Sequence, residues 1–505
     1  MSRALGVGGP LRGVLLGALA AGLLLRLWLS WQPIESVDQL LLVDDSYIAF
    51  NVSRNLALGR GPLGDSVHAT NGYQPLFVWL MVPLFWICDG DRVLPIHLAL
   101  TGLALANLGC GVVLGRLLAR LAGPIAATAG VAYWSLAGQV IQIGLNGLET
   151  SLALLLLLAS LDRWARASPD APLRSFAALG GLGGLAVLAR IDAVLLSPAL
   201  FVCEMLRAGI RRALSRGVAV ALVAAGVALP WLGYNLVAFG SPLPESGAGT
   251  RLQTTFTAGG APMDGWPWLF RGATRAASST LVSTMLVLSL MVLVWALYRA
   301  SRQRLEPSYL VPVAVGLHAL LLVGFYVGAV GAYWYFYRYF YPLRAGWALL
   351  LGLSIGFVAR RLGPKGAAAL AACAGLLGAS EIPRSLTPRL GGYREIGIWA
   401  DANLPAGARV AAAQAGSLAY HGDRISVFNV DGKISADARS ALAARDLSGY
   451  LRRNGIQYVL DWEWNVQKFV VGRSRDSASG LRPLARVETA TNGVWRLYAL
   501  AAPDP

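Results

Sequence analysis

The chain has 505 residues, of which 56% are hydrophobic and only 14% charged, with a mean hydropathy of +0.55. Soluble domains carry about 25% charged residues, so a soluble enzyme of this size is excluded and a polytopic membrane protein follows. The net charge of +16 would point to nucleic acid in a soluble protein. In a membrane protein it must first be mapped onto loops, because Lys and Arg collect on the cytoplasmic side.

In chain order, Arg3 and Arg12 precede a first apolar run at 13–30, read as an uncleaved helix because no small-residue cleavage site follows. Apolar runs follow at 75–87, 94–115, 122–141, 149–162, 175–191, 193–208, 217–238, 277–298, 308–331, 342–359 and 366–380. Charge decides how many cross. If 75–87 does not, the linkers with Arg116 and Arg120, Arg163 to Arg174, Arg207 to Arg216, Arg299 to Arg304, and Arg360 to Lys365 share one face. Together with Arg3 and Arg12 they place seventeen basic residues in the cytoplasm. The 75–87 run is also short and interrupted by Pro75 and Pro83. The expectation is about 11 crossings, with 75–87 interfacial or re-entrant. A long first loop, 31–93, and the C-terminal tail then lie outside the cytoplasm.

Composition changes near 385, giving a membrane domain over 1–384 and an extracytoplasmic α/β domain over 385–505. In the tail, 393–403, 436–444 and 447–453 read as helices. Residues 409–413, 425–429, 458–462, 484–487 and 494–499 read as strands. The tail has no cysteine; the four in the chain are Cys88, Cys110, Cys203 and Cys373, three of them in apolar stretches, so no disulfide scaffold is implied. Only Lys365, Lys433 and Lys468 are lysines, and the abundance of Arg and Ala reads as high-GC bacterial coding.

The first loop carries the chemistry. Asp44 and Asp45 open an amphipathic segment in which Tyr47, Ile48, Val52 and Leu56 follow helical spacing. A helix on the membrane surface would hold both carboxylates at its N-terminus, where anions are favoured; simple N-capping is the alternative. Two like charges so close cannot both stay unpaired in a poorly hydrated site, so one pKa rises or a cation intervenes.

The pattern D-D-x-Y-x-x-x-x-x-x-R-N-x-A-x-G-x-G from Asp44 resembles the first loop of the GT-C glycosyltransferases, polytopic enzymes that take sugars from polyprenyl-phosphate donors. T-N-G-Y-Q-P-L at 70–76, N-G-L-E-T at 146–150, A-R-I-D-A at 189–193 and Y-N-x-x-x-F-G-S-P-L-P-x-S at 234–246 continue the resemblance. So do Y-R-Y-F-Y-P at 337–342 and F-N-V-D-G-K at 428–433. The matches run in order along nearly the whole chain and are most similar to arabinofuranosyltransferases. The resemblance implies a GT-C fold and a bacterial inner-membrane location with the site facing the periplasm. It implies inverting transfer of a sugar, such as the pentose arabinofuranose, to a hydroxyl on a glycan, lipid-linked or protein acceptor.

The resemblance also maps the general base onto this aspartate pair, with Asp44 the better match and Asp45 orienting or sharing it. A divalent cation, Mg²⁺ or Ca²⁺, between Asp44 and Asp45 is the cofactor considered. Arg338, with Tyr337, Arg344 and Arg251, is assigned to the donor phosphate, since guanidinium forks match phosphate oxygens and offset charge as the donor bond breaks. An aromatic belt with a snorkelling Arg is the alternative. Arg54, His68, Asn71, Tyr73, Gln74, Glu149, Arg190, Asp192 and Glu245 are substrate contacts; Arg190 and Asp192 could instead pair with each other. Asp431-Gly432 reads as a turn. Two readings compete with the enzyme. A lipid-linked-sugar flippase should show mid-membrane charges and paired broken helices, and a non-catalytic glycan-binding protein would not need the aspartate pair.

Overall fold

The computed structural model describes residues 7–257, 273–274, 279–300, 307–388, 392–474, 480–491 and 493–500. Residues 258–272 of the long loop after Phe239, and the linker with Arg302 and Arg304, lie outside the described residues. In hydrocarbon the backbone must satisfy itself, so the apolar runs become helices. Among the described residues, six helices are long and apolar enough to cross a membrane: Gly9–Ser30, Leu94–Ala122, Ile210–Phe239, Tyr309–Val330, Tyr341–Arg361 and Pro364–Ser385.

The other apolar runs also form helices, including Thr150–Arg166, Leu173–Ala189 and Thr280–Ala300. The run at 122–141 breaks into Pro124–Leu136 and Gly138–Gly144. Glu381 serves the break: its carboxylate accepts from the Gln139 N–H at 3.2 Å and the Tyr133 hydroxyl at 2.9 Å, giving a freed backbone donor a partner. The run at 193–208 is helical only over Leu196–Ala208, because a 3₁₀ turn, Ile191–Leu195, holds Asp192 at its start.

The first loop folds as three helices: Ile34–Leu40, Asp44–Ala57 and Pro75–Ile87. The last has 13 residues with Pro83 inside, about 20 Å of helix against roughly 30 Å of hydrocarbon. The amphipathic Asp44–Ala57 helix starts where its spacing indicated, and neighbouring elements cover it. Tyr47, Phe50 and Val52 are fully buried. Pro75–Ile87 covers one side and the tail helix Gly416–His421 the other. Tyr420 of the tail enters the same apolar cluster as Tyr47, Phe50 and Phe85, its ring centroid 5.6 Å from that of Tyr47.

The tail is a five-stranded sheet with β1 Arg409–Ala412, β2 Ser426–Asn429, β3 Tyr458–Trp462, β4 Leu481–Glu488 and β5 Val494–Leu500, in the order β2-β1-β3-β5-β4. β1 pairs in parallel with β2 and β3, and β5 is antiparallel to β3 and β4. The helices Ala436–Ala444 and Leu447–Arg453 connect β2 to β3. Tyr393–Asn403 packs against Gly416–His421, a helix the sequence reading did not anticipate. β4 is longer than its apolar core indicated; as an edge strand it accommodates Pro483, beside which the register shifts.

Candidate active site

The N-terminal turn of the Asp44–Ala57 helix splits the two aspartates. Successive helical residues diverge by about 100°, so the carboxylates face different neighbours. Asp44 points into the tail, accepting hydrogen bonds from the backbone N–H groups of Gly416 and Ser417, each at 3.0 Å. Asp45 points the other way, into a cavity of about 370 Å³, along with Ile48 and Ala49 on the same helix face. Of the two aspartates assigned to the base, with Asp44 preferred, Asp45 and not Asp44 forms the cavity wall.

Around Asp45 the cavity gathers three elements far apart in sequence. Arg338 donates from Nη1 to Asp45 Oδ2 at 3.1 Å. Lys433, from the tail, brings Nζ to 3.6 Å from Asp45 Oδ1 and 3.2 Å from Asp431 Oδ2, and donates to the Tyr335 hydroxyl at 2.6 Å. Arg338 lies over the rings of Tyr335 and Tyr339, 5.1 and 5.6 Å from their centroids. Tyr339 stacks on Tyr326 at 4.2 Å. The Arg338 Nε atom is buried without a hydrogen-bond partner.

Electrostatics separate the pair further. Burial lifts the Asp44 carboxyl to about 7, more than its two backbone donors lower it, and the nearby Asp45 charge adds to the rise. Burial acts on Asp45 as well, but Lys433 and Arg338 outweigh it and hold that carboxyl below its ordinary value. Lys433 is held well above the usual lysine value by Asp45, Tyr335 and Asp431 against the pull of burial. The expected split of the pair is present, with protein cations beside Asp45. Among the described residues no group of three or more His, Cys, Asp or Glu could hold a metal ion. With the two carboxylates also diverging, the proposed Mg²⁺ or Ca²⁺ site between Asp44 and Asp45 does not fit the residues present.

The floor of the cavity is a second ionic group. Arg190 holds Asp192 through Nε and Nη2, both at 3.0 Å, and donates to Glu149 Oε1 at 2.7 Å and to the Tyr326 hydroxyl at 2.9 Å. The pairing of Arg190 with Asp192 is thus part of a larger brace, and all three charged groups line the cavity with Tyr73 and Gln74. Asn71 is buried behind the wall, where its Oδ1 accepts from the Glu245 N–H at 2.9 Å.

Six expected contacts lie elsewhere. Arg344 bonds Gln139, and Glu245 pairs with Arg439 at 3.3 Å. Arg251 and Tyr337 project outward and are exposed. Arg54 sits half-buried beside Arg92 and Tyr420. His68 bonds Asp65 at 2.7 Å and fastens the first loop to the tail, since Asp65 also accepts from the Asn429 N–H at 2.8 Å. The reason is common to most of them: sequence spacing gives the element but not which face meets the cavity. Lys433 was missed as a site residue, although the F-N-V-D-G-K motif contains it.

A helical membrane body with buried first-loop helices, a buried ion cluster and a small α/β tail agrees with the GT-C fold expected from the motifs. Two solved structures share it. One is the crystal structure of ArnT from Cupriavidus metallidurans bound to undecaprenyl phosphate, 16% identical, covering 97% of this chain and 99% of that one with a TM-score of 0.52. The other is the apo crystal structure of the same protein, 17% identical, covering 96% and 98% with a TM-score of 0.51. Residues 385–498 match a family described as a domain of unknown function, DUF8728. No curated protein matches the chain.

Proposed function

We propose that the chain is an inverting membrane glycosyltransferase that moves a sugar from a polyprenyl-phosphate donor to an acceptor hydroxyl. The observation that carries this reading is the cavity in which Asp45 lies between Arg338 and Lys433, on a fold shared with a protein crystallised with undecaprenyl phosphate. Asp45 takes the acceptor proton as the acceptor oxygen bonds to the anomeric carbon. Arg338 stabilises the phosphate as the departing oxygen gains charge. Tyr73, Gln74 and Glu149 face the sugar. An apolar cavity of about 700 Å³ shares Val194 with the polar one and is lined by Leu179, Ala186, Leu200, Val220 and Leu229. It suits a prenyl chain, for which each buried CH₂ contributes about 0.8 kcal/mol.

The motifs favour a pentose such as arabinofuranose. The site faces the periplasmic side of a bacterial inner membrane, where a lipid-linked donor is available and a nucleotide sugar is not. Glycan, lipid-linked and protein hydroxyls all fit this acceptor chemistry. The test is purified full-length protein in proteoliposomes, offered a panel of polyprenyl-phosphate pentoses and hexoses with mixed acceptors. Release of polyprenyl phosphate coupled to glycosylated product is expected from at least one donor. Movement of intact donor across the bilayer with no sugar transfer would overturn the reading in favour of a flippase.

A further inference from the structure

The turn that follows β2 enters the membrane body. Asn429 Oδ1 accepts from the Asp431 N–H at 3.3 Å, and Asp431 Oδ1 accepts from the Lys433 N–H at 2.9 Å, an Asx turn that fixes the lysine backbone. Gln253 donates to the Asp431 carbonyl at 2.8 Å. Two glycines of the membrane body admit the turn. A Cβ on Gly72 would lie 2.5 Å from the Lys433 carbonyl oxygen, and one on Gly249 would lie 2.4 Å from that of Gly432. The first loop and the Glu245–Thr257 helix thus grip the tail backbone so closely that no larger residue fits either position.

What the grip delivers is one ammonium group. Among the described residues the cavity is lined by three cations, Arg190, Arg338 and Lys433, and three carboxylates, Asp45, Glu149 and Asp192. Arg190 is committed through four hydrogen bonds to Glu149, Asp192 and Tyr326. Lys433 is committed to Tyr335 at 2.6 Å but stands 3.6 Å from Asp45, beyond hydrogen-bond distance. An incoming phosphate therefore meets one locked cation and two, Lys433 and Arg338, that both face Asp45, with Asp431 also 3.2 Å from Lys433.

We infer that Lys433, delivered by the tail, is a donor-phosphate ligand that faces Asp45 and passes to the phosphate when the donor binds, freeing Asp45 to act as base. This rests on the donor being a polyprenyl-phosphate sugar. In the transfer step the acceptor oxygen bonds to the anomeric carbon while the bond from that carbon to the phosphate oxygen breaks. The bonding pair stays on the phosphate, which becomes a dianion, and the acceptor proton goes to Asp45. Lys433 and Arg338 offset the new phosphate charge as Asp45 is neutralised. Donor binding thereby activates the base.

The test compares wild type with Lys433→Met and Lys433→Arg in the full-length protein, using undecaprenyl phosphate alone as the binding probe and a pH profile of kcat/KM for transfer. The methionine variant should bind undecaprenyl phosphate on the order of 10-fold more weakly, and its acid limb should move up by about one pH unit, since Asp45 loses a neighbouring cation. The arginine variant should retain most of the affinity. Lys433→Gln, which keeps a donor for Tyr335 but no charge, replaces the methionine variant if that one does not fold. A neutral variant that melts lower but keeps wild-type affinity and an unmoved acid limb makes Lys433 a fastener of the turn and overturns the inference alone. Wild type that neither binds undecaprenyl phosphate nor transfers sugar overturns the proposed function, and the inference with it.

Discussion

Two buried ion groups near opposite ends of the helices share a composition, one carboxylate between two cations, and differ in what else the cations hold. At the Arg-rich end, Glu204 accepts from Arg207 and Arg216, each at 2.5 Å. Arg207 also donates to the carbonyls of Trp164 and Ala167, and Arg216 to those of Pro169 and Ala171. Those four carbonyls belong to the end of one helix and the linker after it, so the guanidinium groups staple backbone. Around Asp45, by contrast, the hydrogen bonds of Arg338 and Lys433 go to side chains of the cavity wall, Asp45 and Tyr335. A cation bonded to backbone cannot leave without breaking the fold. A cation bonded to wall side chains can exchange them for a ligand. The partner set, more than the charge, separates scaffold from site.

That difference can be broken or sharpened by substitution. Arg338→Gln should lower transfer on the order of 10²- to 10³-fold, the scale for removing one donor that meets charge developing in the transition state, with the melting temperature little changed. Equal losses of activity and stability would put Arg338 with the staples. Glu204→Gln should do the reverse. Leaving two buried guanidinium groups without their carboxylate costs roughly 3–5 kcal/mol, read as a lower melting temperature, while KM for the donor stays the same in the molecules that remain folded.

The smallest effect concerns pH. Asp44 rises from 3.8 to about 7 on burial in the docked tail, so the folded state binds a proton more tightly than the unfolded one. Its contribution is most favourable below about pH 4 and is lost as pH rises toward 7. Asp38 and Asp461, each lifted to about 6 by burial, act in the same direction. His421, lowered to about 3 by burial, acts in the opposite one, losing stability as pH falls below 6.5. The difference between wild type and Asp44→Asn isolates the single group. Hydrogen exchange of Gly416–His421 should slow between pH 8 and pH 5 more in wild type than in the variant. Equal slopes would remove Asp44 from the docking interface as a titrating group.

Much of this organisation was legible beforehand. The start of the Asp44–Ala57 helix, the strand Tyr458–Trp462 and three tail helices stood at the residues their patterns indicated, because local periodicity decides them. Which aspartate lines the cavity was not legible: Asp44 and Asp45 are chemically alike, and only the tail packed on one side and the cavity on the other distinguish them. Lys433 escaped for a related reason. Its motif reads locally as a turn, which it is, and nothing local reveals that Gly72 and Gly249 admit that turn to the cavity. Arg344 was assigned to phosphate from its nearness to Arg338 in sequence, yet the helix that starts at Tyr341 turns it toward Gln139.

The most direct measurement compares Asp44→Asn with Asp45→Asn in single-turnover transfer from one matched polyprenyl-phosphate sugar, with melting curves for both. Asp45→Asn should lose on the order of 10²- to 10⁴-fold in rate while remaining folded. Asp44→Asn, which keeps one of two acceptors for the Gly416 and Ser417 N–H groups, should cost about 1–3 kcal/mol of stability and leave the rate within about 10-fold. The opposite ranking, with Asp44→Asn inactive and Asp45→Asn turning over normally, would contradict the placement of the chemistry in the cavity that Asp45 lines.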